Sequence, residues 1–209
     1  MKKGIFITFE GCEGCGKTTQ AKLLCGYLKN IGYAAVYLRE PGGIKVSEKI
    51  RDVLLDPKNS ICAEAETLLY MAARAQVVSE AIKPALQTGA VVVCDRFLDS
   101  TTAYQGFGLG VDVKSIQSIG HFATGGITPD LTILLKLPVA RGLKHRRYQK
   151  DRIEKRSYAY HVRVTKGFFA LAKHHPGRIQ IVTVEPSLHA TQEKIRKLVG
   201  ALLRKRKAH

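Results

Sequence analysis

The segment Gly11-x-x-x-x-Gly16-Lys17-Thr18 narrows what this chain can become more than any other. It sits between the apolar run IFITF (5–9) and a helical pattern over TTQAKLLCGYLK (18–29). A short apolar run closed by a glycine-rich turn reads as a buried parallel strand. Strand, glycine loop and helix in that order let backbone N–H groups wrap a phosphate, with the helix N-terminus adding partial positive charge. Lys17 is then expected to reach the β- and γ-phosphates, and the Thr18 hydroxyl to bind Mg²⁺. The expected nucleotide-binding segment is Gly11, Cys12, Glu13, Gly14, Cys15, Gly16, Lys17, Thr18 and Thr19.

Further apolar runs follow at AAVYL (34–38), VVVC (91–94), LTILLKL (131–137) and IQIVTV (179–184). Helical patterns cover roughly 46–55, 63–86 and 190–203, and the turn Glu40-Pro41-Gly42-Gly43 breaks the chain after the second strand. Strands alternating with helices predict an α/β fold: a five-stranded parallel sheet with helices on both faces. With 209 residues and no interdomain linker, a single domain over 1–209 is expected. Alternation does not give the strand order. No apolar run reaches the ~18 residues of a membrane span. The N-terminus lacks a small-residue cleavage site and runs straight into the loop motif, so a cytoplasmic protein without membrane attachment is expected.

Lys and Arg outnumber Asp and Glu 34 to 17, and the excess is concentrated. Residues 141–156 (RGLKHRRYQKDRIEKR) and the C-terminal 193–209 each carry a net charge of +6. The first reads as a short basic lid over an anion, the alternative being a solvated helix face. The second reads as a solvated terminus at 204–209, with a nonspecific nucleic-acid contact as its alternative. Five cysteines make no disulfide framework, and Cys12-x-x-Cys15 lies inside the phosphate loop without a second zinc-ligand pair. Both are read as loop positions whose side chains are free to vary.

Asp95 ends the third strand, where a carboxylate supports the magnesium shell in phosphate-loop proteins. Arg96 follows it at the edge where open α/β sheets bind ligands. No N/T-K-x-D element for reading guanine follows a strand, which argues against a GTP switch. Two readings remain: a small kinase with a cationic lid, and a nucleic-acid-dependent ATPase. The scattered arginines Arg39, Arg74 and Arg96 suit a phosphorylated acceptor, because a guanidinium donates two hydrogen bonds at once.

The set EGCEGCGKTT (10–19), REPGG (39–43), LLYMAARAQ (68–76), DRFLDSTTAYQG (95–106), PDLTILLKL (129–137) and DRIE (151–154) resembles the thymidylate kinase family, in order and spacing, to about residue 172. The loop glutamate and lid arginines resemble its bacterial type. The resemblance implies phosphoryl transfer from ATP to dTMP with Mg²⁺, for dTTP synthesis, in a homodimer. It implies that Arg39 and Arg96 hold the dTMP phosphate and that Pro41 borders the acceptor. Tyr70 would stack on thymine, and Arg74 would donate to its carbonyl edge. Ser100, Thr101 and Gln105 would line the base and sugar pocket, while Tyr104 would crowd the 2′ position. Glu13 would lie near the 3′-hydroxyl or the metal. Arg146, Arg147 and Arg152 would be lid cations, acting with Lys17 and Arg96 on the transferring group. Thr18, Asp95 and Glu154 would face the metal. Four positions depart from the family pattern: Ile44 for Thr, Ala73 for an acid, Lys136 for Asp, and Thr165 for Arg with Arg163 nearby.

Overall fold

The computed structural model describes residues 4–144 and 151–207. Strand β1 (Ile5–Glu10) leads through the glycine loop into helix α1 (Lys17–Asn30), followed by β2 (Ala35–Arg39) and α2 (Lys45–Leu55). Helix α3 (Ala63–Val77) continues through a π-helical turn (Val78–Ile82) into α4 (Lys83–Gln87). Proline lacks a donor and crowds the preceding turn of a helix. The widened turn stands just before Pro84, so the helix expected over 63–86 is present but locally unwound.

Strand β3 (Val91–Asp95) precedes α5 (Leu98–Thr101), a second π-helical turn (Thr102–Gly108) and α6 (Val113–Thr124). Strand β4 (Leu131–Lys136), α7 (Val139–Lys144), α8 (Tyr158–His174), β5 (Ile179–Thr183) and α9 (Leu188–Lys207) complete the chain. All five strands pair in parallel, in the order β2-β3-β1-β4-β5.

The sheet is covered on both faces, as its unbroken apolar runs require. Every residue of β1 and β3 is buried, whereas the edge strands β2 and β5 are buried only at their first and fourth residues. On one face Ile7, Phe9, Val93, Ile133 and Leu135 pack with Leu24 and Leu28 of α1 and Ile195 and Val199 of α9. On the other, Phe6, Val92 and Cys94 meet Val77, Val78 and Ile82, while Leu134 and Ile179 meet Tyr160, Val164 and Phe168 of α8. The strand order places β1 between β3 and β4, so the glycine loop opens at the carboxyl edge beside the β3 turn that carries Asp95 and Arg96.

Two expectations about the basic segments are refined. Residues 204–207 are not a frayed tail; they are the last turn of α9, and Arg206 pairs with Asp130. Residues 145–150, which hold Arg146 and Arg147, lie outside the described residues.

Candidate active site

The glycine loop curls tightly enough to demand glycine at Gly14, whose φ is +68°. A Cβ there would stand 2.1 Å from the carbonyl oxygen of Gly142 on α7. The contact is mutual, since a Cβ on Gly142 would stand 2.3 Å from the carbonyl oxygen of Glu13. Lys17 Nζ donates to the carbonyls of Gly11 at 3.1 Å and Cys12 at 2.7 Å. Cys12 and Cys15 are buried beneath the loop and are not free positions. The Cys12 thiol faces the Leu137 carbonyl, and Lys17 Nζ lies 3.7 Å from Cys15 Sγ. The neighbouring Cys12 thiol, together with Lys17, draws the Cys15 thiol below its ordinary range.

Arg96 adopts left-handed backbone, φ 72°, rare for a non-glycine residue and a sign of local strain. The turn is pinned at both sides. Arg96 N donates to the Phe9 carbonyl, and Phe97 N donates to Glu10 Oε1 at 2.8 Å. Ser100 Oγ donates to Glu10 Oε2 at 2.5 Å. Burial, reinforced by the neighbouring Asp99, pushes the Glu10 carboxyl up to about 8. The Arg96 guanidinium then reaches back over the Tyr104 ring, donates to Ser100 Oγ at 3.1 Å, and stands 3.6 Å from Glu13.

One cleft of about 290 Å³ collects most of the expected residues. Glu13, Gly14, Lys17, Thr18, Arg39, Pro41, Tyr70, Arg74, Asp95, Arg96, Ser100, Thr101, Tyr104, Gln105 and Glu154 all line it. Gly11, Cys12, Cys15, Gly16 and Thr19 belong to the loop and the start of α1 but do not line the cleft. Arg152 does not line it either. Its guanidinium is turned to Glu66 at 2.6 Å and to the Leu54 carbonyl at 2.8 Å. A buried carboxylate outcompetes the cleft for this cation, because removing the partner would leave charge unpaired in the interior.

Elsewhere in the cleft, Arg74 is buried and ion-paired with Glu40, Nε to Oε2, at 2.8 Å. Its Nη1 donates to Thr101 Oγ1 at 3.0 Å, which leaves Nη2 without an acceptor among the described residues. Burial raises the Glu40 carboxyl against the pull of Arg74. Arg39 Nη2 donates to both carboxylate oxygens of Glu48, each at 2.9 Å. Burial pushes the Tyr70 phenol up to about 12, and the charge of Glu66 adds to this.

Glu40, Arg51, Leu55, Asp151 and Ile153 also line the cleft and were not singled out in the sequence. Arg51 donates to the Pro41 carbonyl at 2.8 Å, close to the REPGG turn. A single arginine on a helix carries no motif, and only its position three residues after Glu48 offered a signal.

Donor groups for a divalent cation meet at one point. The Thr18 hydroxyl donates to Asp95 Oδ2, while Asp95 Oδ1 is buried without a hydrogen-bond partner among the described residues. No group of three His, Cys, Asp or Glu able to hold a metal occurs among the described residues. Mg²⁺ does not need one, since it is commonly held by one or two side chains, waters and substrate phosphates. The residues present fit that mode.

Residues 9–195 match the family model for thymidylate kinase. The chain is 47% identical over 203 residues to the thymidylate kinase of Gloeobacter violaceus, covering 95% of this chain and 96% of that protein. It is 41% identical over 203 residues to that of Caldanaerobacter subterraneus, covering 97% and 98%. The crystal structure of thymidylate kinase from Ehrlichia chaffeensis superposes with a TM-score of 0.78 at 32% identity, over 95% of this chain and 99% of that one. A phosphate loop facing a cleft of arginines, in a chain this similar to these enzymes over almost its whole length, places it in the thymidylate kinase family.

Proposed function

We propose that this chain is an ATP:dTMP phosphotransferase, which moves the γ-phosphoryl group of ATP to dTMP and yields dTDP and ADP. The observation that carries the reading is the meeting of Lys17 with Arg39, Arg74 and Arg96 on one cleft, from four distant stretches of chain. The fold acts as a single catalytic domain. Both substrates bring their own reacting groups, so the protein positions them and shields charge.

Lys17 exchanges the Gly11 and Cys12 carbonyls for donor phosphate oxygens. Arg96, held over Tyr104, aims the acceptor phosphate at the γ-phosphorus, and Arg39 of the same cleft supports it. As the new P–O bond forms and the bridging bond to ADP breaks, charge on the transferred group is met by these fixed cations without reorganisation. Tyr70 stacks on the base and Arg74 Nη2 donates to its carbonyl edge, with Ser100, Thr101 and Pro41 shaping the pocket. Tyr104, its hydroxyl donated to Glu13 at 2.5 Å, crowds the sugar and disfavours a 2′-hydroxyl. Thr18 and Asp95, with Glu154 of the same cleft, would hold Mg²⁺, which supplies neutralisation of phosphate charge when bound.

The same reading makes the enzyme a homodimer of the cytoplasm. Leu68 on α3 and Phe122 on α6 are exposed apolar side chains on two helices that pack together, with Val46 and Val53 exposed on the neighbouring α2. Among the described residues no helix is long and apolar enough to cross a membrane.

The test is a coupled ADP-release assay across dTMP, dUMP, CMP, AMP and shikimate, with DNA as a separate arm. Turnover is expected to be best with dTMP and independent of DNA. Best turnover with another acceptor overturns the substrate, and DNA-dependent release favours the nucleic-acid ATPase. Lys17→Ala is expected to lose at least ~10³-fold in turnover; near-normal turnover would contradict the site.

A further inference from the structure

Glu66 was not singled out in the sequence, yet it is one of the most deeply buried acids of the chain. It stands on α3 at the spacing i, i+4, i+8 with Tyr70 and Arg74, so the three share a helix face. Its Oε1 accepts Gln105 Nε2 at 2.8 Å. Its Oε2 faces Arg152 Nη1 and Arg156 Nη2, each at 2.6 Å. A purely structural reading is available: an ion cluster tying α3 to the segment that follows the lid.

Gln105 takes the argument further. An amide side chain can offer either its carbonyl or its NH₂ to a pocket, and its surroundings decide which. A carboxylate clamped between two guanidinium groups can only accept. The amide nitrogen of Gln105 must therefore face Glu66, and its carbonyl must face away. Gln105 lines the cleft, and among the described residues its Oε1 accepts no hydrogen bond. The cleft thus receives a fixed acceptor from Gln105 and a free donor from Arg74 Nη2. That pair matches a pyrimidine edge carrying a carbonyl beside a ring N–H. It mismatches cytosine, whose amine lies beside a bare ring nitrogen.

We infer that Glu66 is a positioning residue for base selection: it holds the Gln105 amide with its carbonyl toward the cleft, and so admits thymine over cytosine. The inference rests on the dTMP kinase reading and names the residue that sets one of its specificities. Leaving a buried group unpaired against the wrong ligand is the most effective form of discrimination.

The experiment measures kcat and KM for dTMP, and the inhibition constant for dCMP, in the wild type, Glu66→Gln, Gln105→Met and Arg156→Gln, with Tm for each. Wild-type turnover of dTMP tests the parent reading alone. Glu66→Gln permits the Gln105 amide to flip, and Gln105→Met removes the acceptor. Both are expected to raise KM for dTMP more than they lower kcat, and to reduce discrimination against dCMP by ~10-fold or more. Arg156→Gln leaves the Glu66–Gln105 bond in place and is expected to lower Tm while keeping discrimination. Unchanged discrimination in Glu66→Gln or Gln105→Met overturns the inference. So does an equal loss in Arg156→Gln, which would trace selection to general loosening. Should Glu66→Gln fail to fold, Glu66→Asp takes its place: it keeps the charge facing Arg152 and Arg156 but draws the carboxylate back from Gln105, and it is expected to show the same loss of discrimination, an unchanged value overturning the inference.

Discussion

His161 Nδ1, on α8, stands 3.1 Å from Oε2 of Glu13 in the phosphate loop, and both side chains are buried. Burial opposes the charge of Glu13, but His161, Arg96, Lys17 and Tyr104 together hold its carboxyl well below the usual range. The loop carboxylate is therefore favoured in its ionised form by partners from several elements, His161 of α8 foremost. Replacing His161 with Phe is expected to cost about 1–3 kcal/mol at neutral pH. Because Glu13 ionises more readily folded than unfolded, its contribution is complete above the ordinary carboxylate pKa of about 4.3 and drains away as pH falls toward the folded value. The gap between wild type and variant should then narrow below that pH. Urea unfolding from pH 3 to pH 7 measures it, and a gap constant across the range would contradict the pairing.

The Glu40–Arg74 pair is almost wholly removed from solvent, with 2% of each side chain exposed. Removing one member of such a pair strands the other in the interior. Glu40→Gln should cost about 3–5 kcal/mol and raise KM for dTMP. Thermal unfolding and steady-state kinetics read the two effects, and a loss under about 1 kcal/mol would show that Arg74 finds other compensation.

Glycine replacements should separate conformation from packing. Gly14→Ala combines positive φ with a Cβ placed against the Gly142 carbonyl, so ATP-analogue binding should weaken at least ~10-fold. Gly26 lies inside α1, and a methyl group added there would have nothing within 4 Å. Gly26→Ala should raise stability by about 0.5–1 kcal/mol and leave binding alone. Equal behaviour of the two variants in calorimetry would refute this distinction.

Metal removal gives a further check. Chelation with EDTA should stop transfer, and added Mg²⁺ should restore it. Asp95→Asn should raise the Mg²⁺ concentration for half-maximal activity by ~10-fold or more. An unaltered Mg²⁺ requirement would move the cation away from the Thr18–Asp95 pair.

The strands were legible because a sheet buried on both faces needs uninterrupted apolar runs, and IFITF and VVVC are such runs. The phosphate loop was legible because its chemistry dictates glycine and lysine at fixed spacing. Strand order was not, since β1 to β2 skips a place that β3 later fills, and no local pattern records that. Arg39, Arg74 and Arg96 stood out as scattered arginines suited to a phosphorylated ligand, the family resemblance gave each an expected role, and the cleft brings them together. Arg152 looked like a cleft-facing cation within a basic run. Its true neighbour, Glu66, lies far away in sequence and carries no motif. Glu66 and His161 were missed for the same reason: a lone acid or histidine on a helix acquires meaning only from partners delivered by the fold.

At Gly14 and Gly142 two stretches of main chain rest directly on each other, with no side chain as a cushion. One belongs to the glycine loop between β1 and α1; the other belongs to α7. A shift of either by a few tenths of an ångström is therefore handed straight to its neighbour. Neither stretch can change its curve at this point unless the other gives way, with two hydrogens as the bearing between them.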